Sequence, residues 1–136
     1  MTDVVSPEKR SEMMSGVRSR NTGPEIIVRK WLHSQGYRFR LHRKDLPGTP
    51  DIVMPGRRLA IFVHGCFWHR HGNCRIAKIP LTRTEWWQEK LGRNVARDRK
   101  VLRELVALGW RAVVVWECET RDGRFIEKLT AKLRAR

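Results

Sequence analysis

Twelve residues, Val63-His-Gly-Cys-Phe-Trp-His-Arg-His-Gly-Asn-Cys74, constrain this chain more than any other stretch. They hold two of its three cysteines, three of its five histidines and an adjacent Phe-Trp pair. They follow the apolar run Leu59 to Val63 and come a dozen residues after Pro50-Asp51. Packing a core does not require so many metal-competent side chains in so little chain, so the segment reads as a functional loop leaving a buried strand.

Cys66, His71 and Cys74 have the spacing C-x4-H-x2-C, and Cys118 follows the second strongly apolar run, Ala112 to Trp116. Three thiolates and an imidazole make a Cys3His set, which suits a closed tetrahedral zinc site with no position left for water. Such an ion is structural and ties the loop to a strand end. The alternative is three buried free cysteines, which are common core residues. A disulfide is disfavoured, because three cysteines cannot all pair and nothing indicates secretion.

The partner is set by charge. The chain has 29 Lys and Arg against 14 Asp and Glu, a formal charge of +15 and a pI near 11.2. Such an excess opposes compaction by self-repulsion and points to a polyanion. The basic residues are spread along the chain rather than gathered in a tail, which favours a folded basic face that contacts nucleic acid phosphates. No helix pairs a large apolar face with a basic one, so a membrane partner is not expected.

At 136 residues the chain is read as one domain, 1–136, long enough for a real core. Its first residues lack an apolar signal segment, and no apolar run approaches a membrane span. A cytoplasmic, nucleoid-associated protein is expected, with thiols kept reduced and available to zinc.

Periodicity suggests an α/β chain. Ser6 to about Gly16 reads as a short polar helix. Thr22-Gly-Pro-Glu25 is a capping box opening a helix to about Gly36, with Ile26, Ile27, Trp31 and Leu32 as its apolar stripe. Tyr37 to Leu41 and Asp51 to Met54 read as strands, and Pro55-Gly56 turns into a central strand ending at Val63. Thr84 to about Leu91 and Val95 to Leu108 read as two helices, Arg111 to Trp116 as a buried strand, and Phe125 to Arg134 as a last helix. Together they predict a mixed β-sheet with helices on both faces.

Asp51 opens a strand beside a basic surface, which is how a carboxylate brings Mg²⁺ to a phosphodiester. His64 and His69 lie just past the central strand, where an imidazole can move a proton. Asp98 can orient one of them. Glu25 already has a sufficient role in the capping box. Each acid alone is more often a surface or capping group than a catalyst; the set from adjoining strand ends is the stronger signal.

Beyond these residue-level readings, Pro-Gly-Thr-Pro-Asp51, Phe-Val-His64-Gly-Cys-Phe-Trp-His69, Thr-Arg-Thr-Glu-Trp-Trp-Gln-Glu-Lys, Asn94-Val-Ala-Arg-Asp98 and Gly-Trp-Arg-Ala-Val-Val-Val-Trp-Glu-Cys118 resemble the very short patch repair (Vsr) endonucleases of bacteria. The resemblance runs from about Ser11 to Cys118. It implies a restriction-endonuclease-like fold, a central mixed sheet flanked by helices with one structural zinc. It implies nicking of one strand of double-stranded DNA 5′ to the thymine of a T:G mismatch left by 5-methylcytosine deamination, which starts short-patch repair. By position, Asp51 and the Val63 backbone carbonyl would hold Mg²⁺. His69 would be the main acid/base group, supported by His64, Asp98 and Glu25. Cys66, His71, Cys74 and Cys118 would hold zinc. Phe67, Trp68 and Trp87 would wedge into the mismatched step, helped by Met14 on an N-terminal arm, residues 1–20, that embraces the DNA. The implied enzyme is a monomer, with general mismatch-repair proteins as further partners. The chain departs from the wider nuclease pattern in that Phe62-Val63-His64 stands where a second acid and a lysine would be. A metal loop one residue longer than the family pattern leaves His69 as the rival of His71 for the zinc.

The wedge also has a physical rationale. A mismatched step has lost stacking and pairing energy and is cheaper to open, and flat aromatic faces replace the lost stacking. Trp31, Trp110 and Trp116 sit in regular apolar patterns and are read as core. Two other functions remain compatible with the residues: a zinc-stabilised DNA-binding module without catalysis, and a different nuclease of the same superfold, such as a junction resolvase.

Overall fold

The structure is a computed structural model and describes residues 22–72, 74 and 78–134. The expected Ser6–Gly16 helix, the 1–20 arm and Met14 lie outside these residues. The described chain runs α1 (Gly23–Ser34), β1 (Arg40–Leu41), β2 (Ile52–Met54), a 3-10 turn (Pro55–Arg57), β3 (Leu59–His64), α2 (Thr84–Ala107), β4 (Arg111–Trp116), α3 (Glu117–Asp122) and α4 (Arg124–Arg134).

The four strands lie in the order β1-β2-β3-β4. The pairs β1–β2 and β2–β3 are antiparallel, whereas β3 and β4 are parallel and joined through α2. The sheet is therefore mixed, as the elements predicted. Side chains alternate faces along a strand, and here both faces are covered. Ile52, Met54, Leu59, Ile61, Val113 and Val115 pack with Val28 and Leu32 of α1 and with Phe125, Leu129 and Leu133 of α4. Val53, Ala60 and Phe62 face the other way, onto Leu46 and Leu105, with Val101 and Leu102 of α2 alongside. Burial on both faces explains why β3 and β4 read as nearly continuous apolar runs.

Local chemistry sets the starts and stops. The Thr22 hydroxyl accepts from Glu25 N at 3.4 Å and the Glu25 carboxylate accepts from Thr22 N at 3.2 Å, closing the capping box. Such a cap contributes about 1 kcal/mol. The stripe expected on α1 is corrected in part: Leu32 is buried and Trp31 packs against the core, but the other two residues are not part of it. Ile26 and Ile27 are exposed, at 37% and 42%, and the buried residues are Glu25, Val28 and Leu32. The helix is turned by about one residue so that Glu25 faces inward, where His42 receives it.

Three other expectations change. Only Arg40–Leu41 of the Tyr37–Leu41 segment pairs as a strand, since Tyr37 and Phe39 instead pack against the core as partly buried side chains. The two helices expected over 84–108 are one, because Gly92 weakens a helix without ending it and Asn94 remains helical. The buried Asn94 amide donates to the Trp68 carbonyl at 3.1 Å, so it is satisfied inside the structure. The short helix α3, not expected from the sequence, begins where the Glu119 carboxylate accepts from Trp116 N at 2.8 Å.

Candidate active site and metal centre

Both centres form at the ends of β3 and β4. The loop before β2 reaches this edge through Gly48, whose φ of +74° is open to glycine. A Cβ there would lie 2.5 Å from the Val101 side chain, so only glycine lets the loop close onto α2 and carry Asp51 to the strand ends. A cleft of about 390 Å³ results, lined by His42, Lys44, Asp51, His64, His69, Arg97 and Asp98 among others.

Within it, the Asp51 carboxylate accepts from Val63 N at 2.7 Å. Burial raises the Asp51 carboxyl from 3.8 to about 6, against the opposing hydrogen bond from Val63. A carboxylate so desolvated gains most from a cation beside it. His69 Nδ1 and Asp98 Oδ2 are 2.6 Å apart. This contact puts the proton on Nδ1 and leaves Nε2 as the exchanging nitrogen. The His64 ring stacks on His69 with centroids 3.7 Å apart and planes 6° from parallel. Burial, with His69 nearby, lowers His64 to about 3, so its imidazole is neutral at physiological pH.

The structure thus brings Asp51, His64, His69 and Asp98 to one cleft. Glu25 stands behind them, buried, with its carboxylate engaged by Thr22, Arg29 and His42. His42 was missed by the sequence reading. It lines the cleft, contacts Glu25 through Nε2 and donates its backbone N–H to the Asp51 carbonyl at 3.1 Å. No periodic pattern marks it, because it meets Glu25 seventeen residues away by way of a loop. One atom from each of Glu25, His42 and Asp51 falls within 4.8 Å of the others, and the same holds for His64, His69 and Asp98.

The second centre is Cys66, His71, Cys74 and Cys118, with donor atoms within 4.8 Å of one another. Cys66 Sγ and Cys118 Sγ lie 3.6 and 3.4 Å from His71 Nδ1. Ligands about 2.0–2.3 Å from a tetrahedral ion sit roughly 3.3–3.8 Å apart, so the donors fit such an ion. The thiols are also prepared for negative charge. Cys118 N donates to Cys66 Sγ at 3.4 Å and the Arg124 guanidinium to Cys118 Sγ at 3.4 Å. Burial otherwise pushes the Cys66 thiol up to about 12, so its thiolate calls for a cation. Of the two histidines, His71 lies with the three cysteines, and His69 pairs with Asp98.

The aromatic residues cluster beside the cleft. Phe67 meets Trp68 at 5.1 Å and Trp87 at 5.2 Å, and Trp87 meets Trp86 at 4.8 Å. Trp68 is buried at the base of the cluster, Phe67 and Trp87 are half-buried, and Trp86 is 42% exposed. Trp86, which the sequence reading left out, forms the outer margin, with Arg83 and Lys90 over its ring. Among the described residues no helix is long and apolar enough to cross a membrane.

Comparison with known proteins places the chain in a family. Residues 2–75 match the family described as DNA mismatch endonuclease Vsr. The chain is 58% identical over 134 residues to the Type II nicking enzyme V.XorIIP of Xanthomonas oryzae, covering 98% of this chain and 96% of that one. It is 48% identical to the DNA mismatch endonuclease Vsr of Escherichia coli over 96% of this chain and 81% of that one. It is 43% identical to the Type II nicking enzyme V.NmeAIP of Neisseria meningitidis over 90% and 86%. With half of its length matched to the family and near full-length relatives at this identity, the chain belongs to the Vsr family of DNA mismatch endonucleases.

Proposed function

We propose that this DNA endonuclease nicks one strand of duplex DNA 5′ to the thymine of a T:G mismatch, such as 5-methylcytosine deamination leaves, and so starts short-patch repair. The fold is read as restriction-endonuclease-like, and the protein as a monomer of one domain acting on the nucleoid. The observation that carries the reading is the single cleft in which Asp51, His64 and the His69–Asp98 pair face the same space beside Lys44 and Arg97.

Asp51, with the Val63 carbonyl, is assigned to Mg²⁺, and the Cys66, His71, Cys74 and Cys118 donors to a structural Zn²⁺. When bound, Mg²⁺ supplies charge neutralisation at the scissile phosphate and a lowered pKa for water. The rest is the work of side chains. The hydrogen bond from Val63 N fixes one Asp51 oxygen. Asp98 holds His69 in the tautomer that exchanges a proton at Nε2, and His64 keeps the ring flat against its own. Glu25 and His42 brace the Asp51 loop from behind. Lys44 and Arg97 add positive charge for the phosphate backbone. Phe67, Trp68 and Trp87 form the wedge, with Trp68 as its buried base, Trp86 at the margin and Met14 assigned to the opposite groove. Opening a matched step costs more than opening a mismatched one, so stacking on the wedge converts a difference in deformation cost into recognition.

The test is strand-resolved cleavage of T:G, matched and branched duplexes with and without Mg²⁺. Nicking confined to the thymine strand of the T:G duplex and dependent on Mg²⁺ is the expected result. Equal cleavage of matched or branched DNA would replace mismatch repair with another nuclease function, and tight binding without cleavage would leave a DNA-binding module.

A further inference from the structure

His64 is the last residue of β3 and Trp116 the last of β4, and the two are direct partners in the parallel ladder. Beyond them each strand runs into a cysteine of the metal centre, Cys66 on one side and Cys118 on the other. The four aromatic rings at this point form a continuous series. The Trp116 indole stacks on His71 with centroids 4.2 Å apart and planes 10° from parallel. Its edge meets His64 at 5.4 Å and 76°, and His64 stacks on His69 at 3.7 Å and 6°. His69 ends the series on Asp98.

Among the described residues, these ring contacts are the ones that hold the His64 ring. It is 7% exposed, and its buried Nδ1 has no hydrogen-bond partner among the described residues. Its orientation is therefore set by aromatic packing: Trp116 at one side, His69 on one face, and a looser tilted contact with Phe62 at 5.8 Å. The Trp116 indole in turn lies flat on a residue of the metal centre. We infer that Trp116 is a positioning residue, which ties the orientation of the His64–His69 pair to the closed Cys66–His71–Cys74–Cys118 centre. The inference rests on the assignment of His69 as the proton-transfer group. By this route the metal centre acts on the rate of cleavage as well as on stability, although no donor of that centre enters the cleft lining.

The test compares Trp116→Leu, which removes the flat ring, with Trp116→Phe, which keeps one. Zinc content, affinity for T:G duplex and single-turnover nicking rate are measured for each. Trp116→Leu is expected to retain its zinc and its DNA affinity while its rate falls by about 10²-fold, the scale on which a 1 Å misplacement is felt. Trp116→Phe is expected to recover most of that loss. A metal-loaded Trp116→Leu protein that nicks at the wild-type rate overturns the inference. If that variant loses zinc or fails to fold, the wild type decides. Exchanging Zn²⁺ for Cd²⁺ alters the metal–donor bond lengths, and the ¹H–¹⁵N resonances of the His64 and His69 rings should then shift. Unmoved His64 and His69 resonances overturn the inference. Full activity in His69→Ala would instead remove the assignment of His69, and would leave the ring coupling itself to be read from the same spectra.

Discussion

Replacing Asp51 by Asn should make the protein more stable and inactive at once. Asn keeps the size of the side chain and an oxygen to accept from Val63 N, a bond of 2.7 Å in the wild type. What it removes is the charge. Burial, helped by the nearby Glu25 carboxylate, raises the folded-state value of Asp51 from 3.8 to about 6, outweighing Val63, His42 and His69, which lower it. Between those two values the folded chain holds a proton that the unfolded chain has released. Stability therefore falls as pH rises through this window and levels off above about 6. Each tenfold change in proton affinity corresponds to about 1.4 kcal/mol, so the ionised carboxylate costs about 3 kcal/mol at pH 7.5 and about 1 kcal/mol at pH 4.5. The Asn variant escapes this cost. In buffer without added divalent cations, urea denaturation should find it more stable than wild type by up to about 3 kcal/mol at pH 7.5, with the gap narrowing to about 1 kcal/mol at pH 4.5. In a thermal scan the neutral-pH gap is on the order of 10 °C. Added Mg²⁺ should stabilise the wild type more than the variant, because the variant keeps the Glu25 and Asp98 carboxylates but loses the one at position 51. A variant less stable than wild type at pH 7.5, or a gap independent of pH, would refute the account of Asp51 as a charge held at a cost for a cation.

Other substitutions separate the remaining roles. His69→Ala should lower single-turnover nicking by about 10²–10⁴-fold with T:G affinity nearly unchanged, and a loss of affinity matching the loss of rate would remove it from proton transfer. Cys118→Ala should lose the bound metal together with cooperative unfolding, because binding energy at such a centre is folding energy; metal analysis and a denaturation curve check it, and a zinc-free but fully active wild type would contradict it. Phe67→Ala should weaken T:G binding by about 1–3 kcal/mol and leave matched binding and its salt slope unchanged, read from paired salt titrations. Trp68→Ala should show the same loss of discrimination but also a stability cost of about 3–5 kcal/mol, since Trp68 is 8% exposed.

Much of this site is legible in the chain because its chemistry is local. His64, Cys66, Phe67, Trp68, His69, His71 and Cys74 fall within eleven residues, and the metal set needed only Cys118 from elsewhere. The strands β3 and β4 announce themselves as apolar runs because both sheet faces are covered, and the capping box of α1 is written in four consecutive residues. The face that α1 buries was not legible. Periodicity favoured Ile26 and Ile27, yet the helix turns Glu25 inward because a loop seventeen residues on supplies His42. The single helix α2 was misread as two because Gly92 is a weak stop signal, whereas Asn94 finds its partner at the Trp68 carbonyl, across the fold.

Sequence alone determined the basic charge, the α/β alternation, the thiol and imidazole donors and the acids from which a nuclease cleft could be built. Tertiary structure alone decided which histidine joins the cysteines and which joins Asp98, that His42 stands with Glu25 behind Asp51, and that Trp116 lies between the two centres rather than in an inert core. The reason is reach. A periodic pattern fixes which face of an element is apolar, but a ring stack or a carboxylate–imidazole contact depends on the ends of several elements meeting within a few ångströms. That meeting is created here only when β3 and β4 pair in parallel register and bring His64 beside Trp116.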